Sequence, residues 1–359
     1  MALTINEEHQ LTGSGLGYQH SCYIMMRALC NRSGLKYGIG KHDLIALRAT
    51  YKTLQFDEEI NPNDVTADKV IEFLDDEQFE DVLARVEDNV PLFGYPTPSN
   101  AIDTTQITEL KKHFTFRDEI TDACKKFKED KFGDTPVISM HIRRGDFEDI
   151  QSGMFLIDDD YYEDALKQMP DGLPVLIFTN DKDYVMNNPK FIGSRFTLVH
   201  DIENNNEIVN CDWTQWMLKM VDESGMGRFY YKMVLKIMSD KSGVPVQQII
   251  KEMSAVGKRK LKYNLYNYSY DLCLMRMCDY HIMANSSFGL WGVELSNTNK
   301  VVYPKYWMQG SHVDADDGDD QIKMDLDGFD QTGSLAGHFI TDKWVGLDNP
   351  DQRAFTLVY

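Results

Sequence analysis

From Thr135 onward the chain alternates short apolar runs with segments of helical periodicity, and this alternation restricts the possible fold more than any other feature. The run Pro136-Val-Ile-Ser-Met140 is followed by a polar loop and a helical stretch from Asp159 to Met169. Further apolar runs stand at Leu173 to Phe178, Phe196 to Val199, His281 to Ala284 and Val301 to Tyr303, with helical segments at Tyr270 to Met277 and Phe288 to Leu295 between some of them. Strands alternating with helices predict a doubly wound α/β fold with a parallel sheet. Ligands of such sheets sit beyond the carboxyl ends of the strands.

The preceding part reads differently. A glycine-rich turn, Gly13-Ser-Gly-Leu-Gly17, is followed by a predicted helix from Ser21 to Cys30, with more helix at His42 to Leu54 and Thr108 to Lys128. Asp134-Thr-Pro136 is the predicted boundary, and 359 residues suffice for two domains, one over 1–134 and one over 135–345, with 346–359 as a tail. A mostly helical stretch over 204–268 interrupts the strand–helix rhythm and reads as an insertion. Its end, Lys258-Arg-Lys260 with Lys262, is the strongest basic cluster and reads as a solvated helix end.

A net charge of -20, from 57 acidic against 37 basic residues, argues against a protein held to nucleic acid by phosphate contacts. Any bound anion must be held locally. No apolar run approaches the roughly 20 residues that span a bilayer, and Met1 to Gln10 is too polar for a signal peptide, so a soluble cytoplasmic protein without a transmembrane anchor is expected. Cys22, Cys30, Cys124, Cys211, Cys273 and Cys278 form no C-x-x-C pair and read as reduced thiols, several in the core.

The sharpest local signal is His141-Ile-Arg-Arg-Gly-Asp146 directly after the Pro136 to Met140 run. It places Arg143 and Arg144 at a strand's carboxyl end, where an anion would bind. Guanidinium suits phosphate because it stays charged and donates two parallel hydrogen bonds. Gly145 permits a tight turn, and Asp146 is placed to orient an arginine.

H-x-R-R-G-D after a strand resembles the phosphate motif of the α-1,2-fucosyltransferases, glycosyltransferase family 11. Other segments fit in the same order: Asp158-Asp-Asp-Tyr-Tyr162, Phe178-Thr-Asn-Asp181, the stretch Asp271 to Trp291 with Ala284-Asn-Ser-Ser-Phe288, and Val302-Tyr-Pro-Lys-Tyr-Trp307. Near the start, Gly15-Leu-Gly17 with Gln19 resembles that family's opening turn, although Ser14 and Tyr18 depart from it and Glu7-Glu8-His9-Gln10 stands where a strand usually leads in. The 204–268 insertion has no counterpart in the family's short loop.

The resemblance implies a GT-B-like enzyme of two Rossmann-type domains facing a cleft, the second holding GDP-fucose and the first helping to bind a glycan acceptor. Arg143 would contact the β-phosphate, supported by Arg144 and His141, with Asn285, Ser286 and Ser287 at the phosphates and Asp181 at the ribose or base. Gly15, Gly17, Gln19 and His20 are the acceptor-side candidates. The implied reaction is inverting transfer of L-fucose to a galactoside 2-hydroxyl, with an arginine doing the work of a metal and no cofactor. Asp146, His20 and Asp159 are candidates for the base that takes the acceptor proton.

Three other readings remain open on sequence. The donor sugar could be L-galactose, or the linkage another. A metal-dependent enzyme is allowed by the D-x-D matches Asp158-Asp-Asp160 and Asp314-Ala-Asp316, although so acidic a chain produces such matches readily. A non-catalytic sugar-nucleotide or glycan-binding module would keep the fold without the reaction. The run Asp314 to Asp320 reads as a solvated acidic loop, its glycine standing one place early for an EF-hand.

Overall fold

The computed structural model describes residues 2–5, 16–40, 44–60, 71–72, 79–86, 91–93, 104–148, 154–199, 268–309, 323–325 and 344–348. Gly15, the basic cluster at 258–262, the acidic run at 314–320 and all but the last residue of the predicted insertion lie outside these ranges.

The first part supplies β1 (Ala2–Ile5), α1 (Leu16–Ser33), β2 (Lys36–Gly40), α2 (Ile45–Thr50), β3 (Glu58–Ile60), β4 (Ile71–Glu72), α3 (Phe79–Arg85) and β5 (Pro91–Phe93). Its strands form a sheet in the order β3-β2-β1-β5-β4. Every neighbouring pair is parallel. The strand leading into the glycine-rich turn is therefore present, displaced toward the N-terminus to Ala2–Ile5. The helix predicted over Thr108 to Lys128 is two helices, α4 (Thr104–Lys111) and α5 (Asp118–Phe132). Between them Phe116 forms an antiparallel bridge to Tyr51, which also ends α2 short of its predicted length.

The second part supplies β6 (Ile138–Ile142), a 3-10 turn (Gly145–Glu148), α6 (Asp159–Lys167), β7 (Val175–Thr179), α7 (Lys182–Asn187) and β8 (Phe196–Leu198). After the insertion come α8 (Tyr268–Arg276), β9 (Tyr280–Ile282), α9 (Ser287–Glu294), β10 (Lys300–Pro304), β11 (Tyr306–Gln309), β12 (Lys323–Asp325) and β13 (Trp344–Leu347). The main sheet runs β13-β10-β9-β6-β7-β8, parallel throughout. The chain winds outward from β6 to β8, then crosses back and winds the other way from β9 to β13. Its order reverses between β6 and β9, as in a doubly wound nucleotide-binding sheet. The 346–359 tail of the sequence reading thus begins inside β13, an edge strand of this sheet.

Side-chain alternation accounts for the apolar runs. Ile138, Met140 and Ile142 of β6 join Val175, Ile177 and Val302 in a core on the α6 face. Val137, Leu176, Phe178, Val301 and Tyr303 join the core on the other face. Five cysteines are described, all buried and unbridged. Burial pushes the Cys22, Cys30 and Cys278 thiols up to about 12, consistent with inert packing residues. No described helix is long and apolar enough to cross a membrane.

One of the two cores is shared between the parts that carry the two sheets, while the core on the α6 face belongs to the second alone. Helix α1 is buried on nearly every side, including His20, Tyr23, Ile24, Met25, Ala28 and Leu29. A helix covered on nearly every side belongs inside a protein rather than on its surface. One cluster joins these residues to Ile120 of α5, Leu272 of α8 and Trp291 of α9. The indole of Trp291 stacks on the His20 ring at 5.0 Å with an 18° interplanar angle, and Phe114 meets it edge-on at 5.6 Å.

An ion pair crosses the same seam. Lys111, at the end of α4, binds Glu294, at the end of α9, whose side chain is 8% exposed. Burial raises the Glu294 carboxyl from 4.5 to about 7 against the opposing pull of Lys111. Because the folded carboxyl holds its proton more tightly than the unfolded one, its contribution to stability is greatest below about 4.5 and is lost as pH rises through about 7. Glu294→Gln is expected to flatten that part of the stability curve, removing up to ~3 kcal/mol of pH dependence. Denaturant melts of both proteins across this range check it: parallel curves would show that Glu294 titrates normally.

Candidate active site

At a reversal of strand order, the loops leaving the two strands run to opposite sides of the sheet and leave a crevice at their carboxyl ends. In the second sheet the two strands are β6 and β9. β6 leads into Arg143, Arg144 and Gly145, and β9 into Asn285, Ser286 and Ser287. The first sheet reverses between β1 and β5, and the chain leaving β1 re-enters the described residues at α1. The N-terminal turns of α1 and α9 touch: a Cβ on Gly17 would stand 2.5 Å from the Phe288 nitrogen and 2.6 Å from the Ser287 carbonyl carbon. Only glycine allows that approach. Strand ends and helix starts from both sheets therefore meet in one place.

His141 is the last-but-one residue of β6 and faces α9. A Cβ on Gly289 would fall 2.6 Å from its Nδ1, so the helix rests directly on the imidazole. The Phe288 ring lies 5.6 Å away. His141 is 4% exposed, and among the described residues its Nδ1 has no hydrogen-bond partner. Burial, aided by the Arg143 charge, lowers it to about 3, so the ring is neutral at physiological pH. It supports α9 beneath the crevice and adds no charge to it.

The two arginines are held differently. Arg143 is half-buried, its guanidinium 5.1 Å from the centre of the Phe147 ring. Arg144 lies 3.9 Å over the Tyr184 ring and is paired with Glu148 at 3.0 Å. Tyr184 donates its hydroxyl to Asp159, which also accepts from Asn188 at 2.9 Å. Arg144 is thus an anchor of the turn. Asp146 lies within the 3-10 turn, and its side chain is outside the described atoms.

Asn285 is fully buried and donates to the Phe155 carbonyl at 2.8 Å, fixing the end of β9. Ser286 caps α9, accepting from the Phe288 N–H at 3.3 Å, and Ser287 opens the helix. A capped helix start suits an anion. Asp181 caps α7 by accepting from the Tyr184 N–H at 2.9 Å, which ties its carboxylate to the backbone.

Several of the expected site residues stand in buried or already bonded positions. Gln19 is 3% exposed and accepts from the Leu47 N–H at 3.0 Å, supplying the acceptor that the α2 N-cap residue Leu44 does not. His20 is 0% exposed, with Nδ1 on the Leu16 carbonyl at 2.8 Å and Nε2 on the Tyr51 hydroxyl at 2.6 Å. Burial lowers His20 to about 3. Both side chains are buried and hydrogen-bonded within the fold. Asp159 is likewise occupied by Tyr184 and Asn188. Its neighbours have local partners too, Asp158 capping α6 through the Tyr161 N–H and Asp160 meeting Lys190 at 3.0 Å. The residues missed by sequence reasoning are Glu148, Asn180 and Tyr184, which organise the arginine turn. Asn180 stood inside the quoted Phe178 to Asp181 segment, the one signal that could have found it.

No protein-family model matches the chain. No curated protein matches it either. Among solved structures it is similar to fucosyltransferase NodZ from Bradyrhizobium, with a TM-score of 0.43 and 12% identity over 84% of this chain and 94% of that one. It is also similar to NodZ alpha-1,6-fucosyltransferase soaked with GDP-fucose, with a TM-score of 0.44 and 12% identity over 84% of this chain and 93% of that one. A likeness this loose assigns this chain neither a family nor an activity.

Proposed function

We propose that the chain is a glycosyltransferase that moves L-fucose from GDP-fucose to a glycan hydroxyl, the 2-hydroxyl of a galactoside, with inversion and without a metal. The observation that supports this reading is the meeting of H-x-R-R-G-D at the end of β6 with Asn285-Ser286-Ser287 at the end of β9, on either side of the strand reversal. The remainder of the resemblance to the α-1,2-fucosyltransferases adds the sugar and the linkage.

The chemistry follows from charge. As the bond from the anomeric carbon to the phosphate oxygen breaks, negative charge grows on the departing diphosphate. A fixed cation and a helix N-terminus stabilise that charge more than they stabilise the intact donor, which lowers the barrier. Arg143 and the start of α9 fill these two roles. The acceptor hydroxyl attacks from the face opposite the diphosphate and releases its proton as the new bond forms.

The test is incubation with GDP-fucose and galactoside acceptors in excess EDTA, measuring GDP release and fucosylated product. Undiminished transfer with chelator is expected. Loss of turnover in EDTA would replace the metal-free mechanism, and release of GDP only from another GDP-sugar would replace the donor.

A further inference from the structure

We propose that Asn180 is a positioning residue that sets the shape of the arginine turn and, through it, the aim of Arg143; its link to the donor rests on the proposed function. Asn180 follows β7, and its amide meets both backbone groups of Arg144 at once. Its Oδ1 accepts from the Arg144 N–H at 2.8 Å, and its Nδ2 donates to the Arg144 carbonyl at 2.7 Å. Ile142 and Thr179 are the last residues paired between β6 and β7, so the side chain ties the two segments together beyond the end of the ladder.

The next residue fits the same arrangement. Gly145 has φ 68°, a left-handed conformation, and a Cβ there would stand 2.9 Å from Asn180 Nδ2. The chain must reverse there and pass the amide closely, and glycine satisfies both demands. Below the turn, Arg144 is held by Glu148 and the Tyr184 ring. The backbone leaving Arg143 is thus fixed by a side-chain amide, and its direction does not depend on packing alone.

The amide is chemically specific. A carboxylate can accept from the Arg144 N–H but cannot donate to the Arg144 carbonyl, so two oxygens would face each other at hydrogen-bond distance. The charge would also oppose an incoming diphosphate. Asn180→Asp is therefore expected to be worse than Asn180→Ala, although it is the closer match in shape.

Amide hydrogen exchange over 143–148 in the nucleotide-free protein reads the clamp directly, GDP titration calorimetry reads its effect on binding, and thermal melting reads general damage. Both variants are expected to exchange faster at Arg144, and to bind GDP at least about tenfold more weakly, the loss of roughly one well-made hydrogen bond, with melting temperatures close to that of the parent. In an Arg143→Ala background, Asn180→Ala should cost little further GDP affinity, because the two act through one path. Unchanged exchange in both variants overturns the clamp. A full, undiminished loss of affinity in the Arg143→Ala background overturns the coupling to Arg143. Faster exchange in a protein whose unmodified form binds no GDP upholds the clamp and removes the nucleotide reading instead.

Discussion

Arg143→Ala is expected to lower GDP-sugar turnover by at least about a hundredfold while leaving the melting temperature near that of the parent, the loss typical of removing one contact to transition-state charge. The expectation comes from position: the residue follows β6, next to the strand reversal, and its guanidinium lies against Phe147. Arg144→Ala should act differently, because that guanidinium already serves Glu148 and Tyr184. Its loss should loosen the turn and lower stability along with activity. Steady-state kinetics and melting of both variants separate the roles. If Arg144→Ala abolishes turnover in a fully stable protein while Arg143→Ala retains most of it, the roles are reversed.

Trp291→Ala should produce the largest loss of stability, ~3–5 kcal/mol, the usual cost of truncating a buried tryptophan and leaving a cavity. The ring is 0% exposed and stacks on His20, and its indole N–H points to the Ser21 hydroxyl at 3.5 Å. It therefore belongs to the core and not to a sugar-stacking platform, as the larger share of such residues do. Equilibrium unfolding in guanidinium chloride measures the loss. A variant that unfolds within about 1 kcal/mol of the parent would show that α1 and α9 do not depend on this contact.

The second sheet was legible because its strands are covered on both sides, so Val175–Thr179 and Lys300–Pro304 are apolar along most of their length. The end of such a strand is easily seen, and the arginine motif and Asn285-Ser286-Ser287 were found at two of them. The first sheet was not legible from its residues. Lys36-Tyr-Gly-Ile-Gly40 and Glu58-Glu-Ile60 carry glycine and charge where a periodic signal needs apolar residues, and only the resemblance implied a second α/β unit. The helix break between Lys111 and Asp118 was hidden because Phe116 leaves the helical pattern to pair with Tyr51, 65 positions away. His20 misled for the same kind of reason. A histidine beside a glycine-rich turn looks reactive in one dimension, and its burial depends on Tyr51 and Trp291, both distant in sequence.

Helix α1 comes from the first half of the chain, yet much of its covering comes from the second, and α5 lies before the rhythm change at Asp134 while packing in the same cluster as α8. The chain is therefore not modular at the point where its pattern changes. Severing it there would strip both pieces of their apolar cover, and neither could be exchanged for the corresponding piece of another protein without importing the partner surface. Each half acts as the scaffold on which the other condenses, so the crevice and the core that supports it must form together.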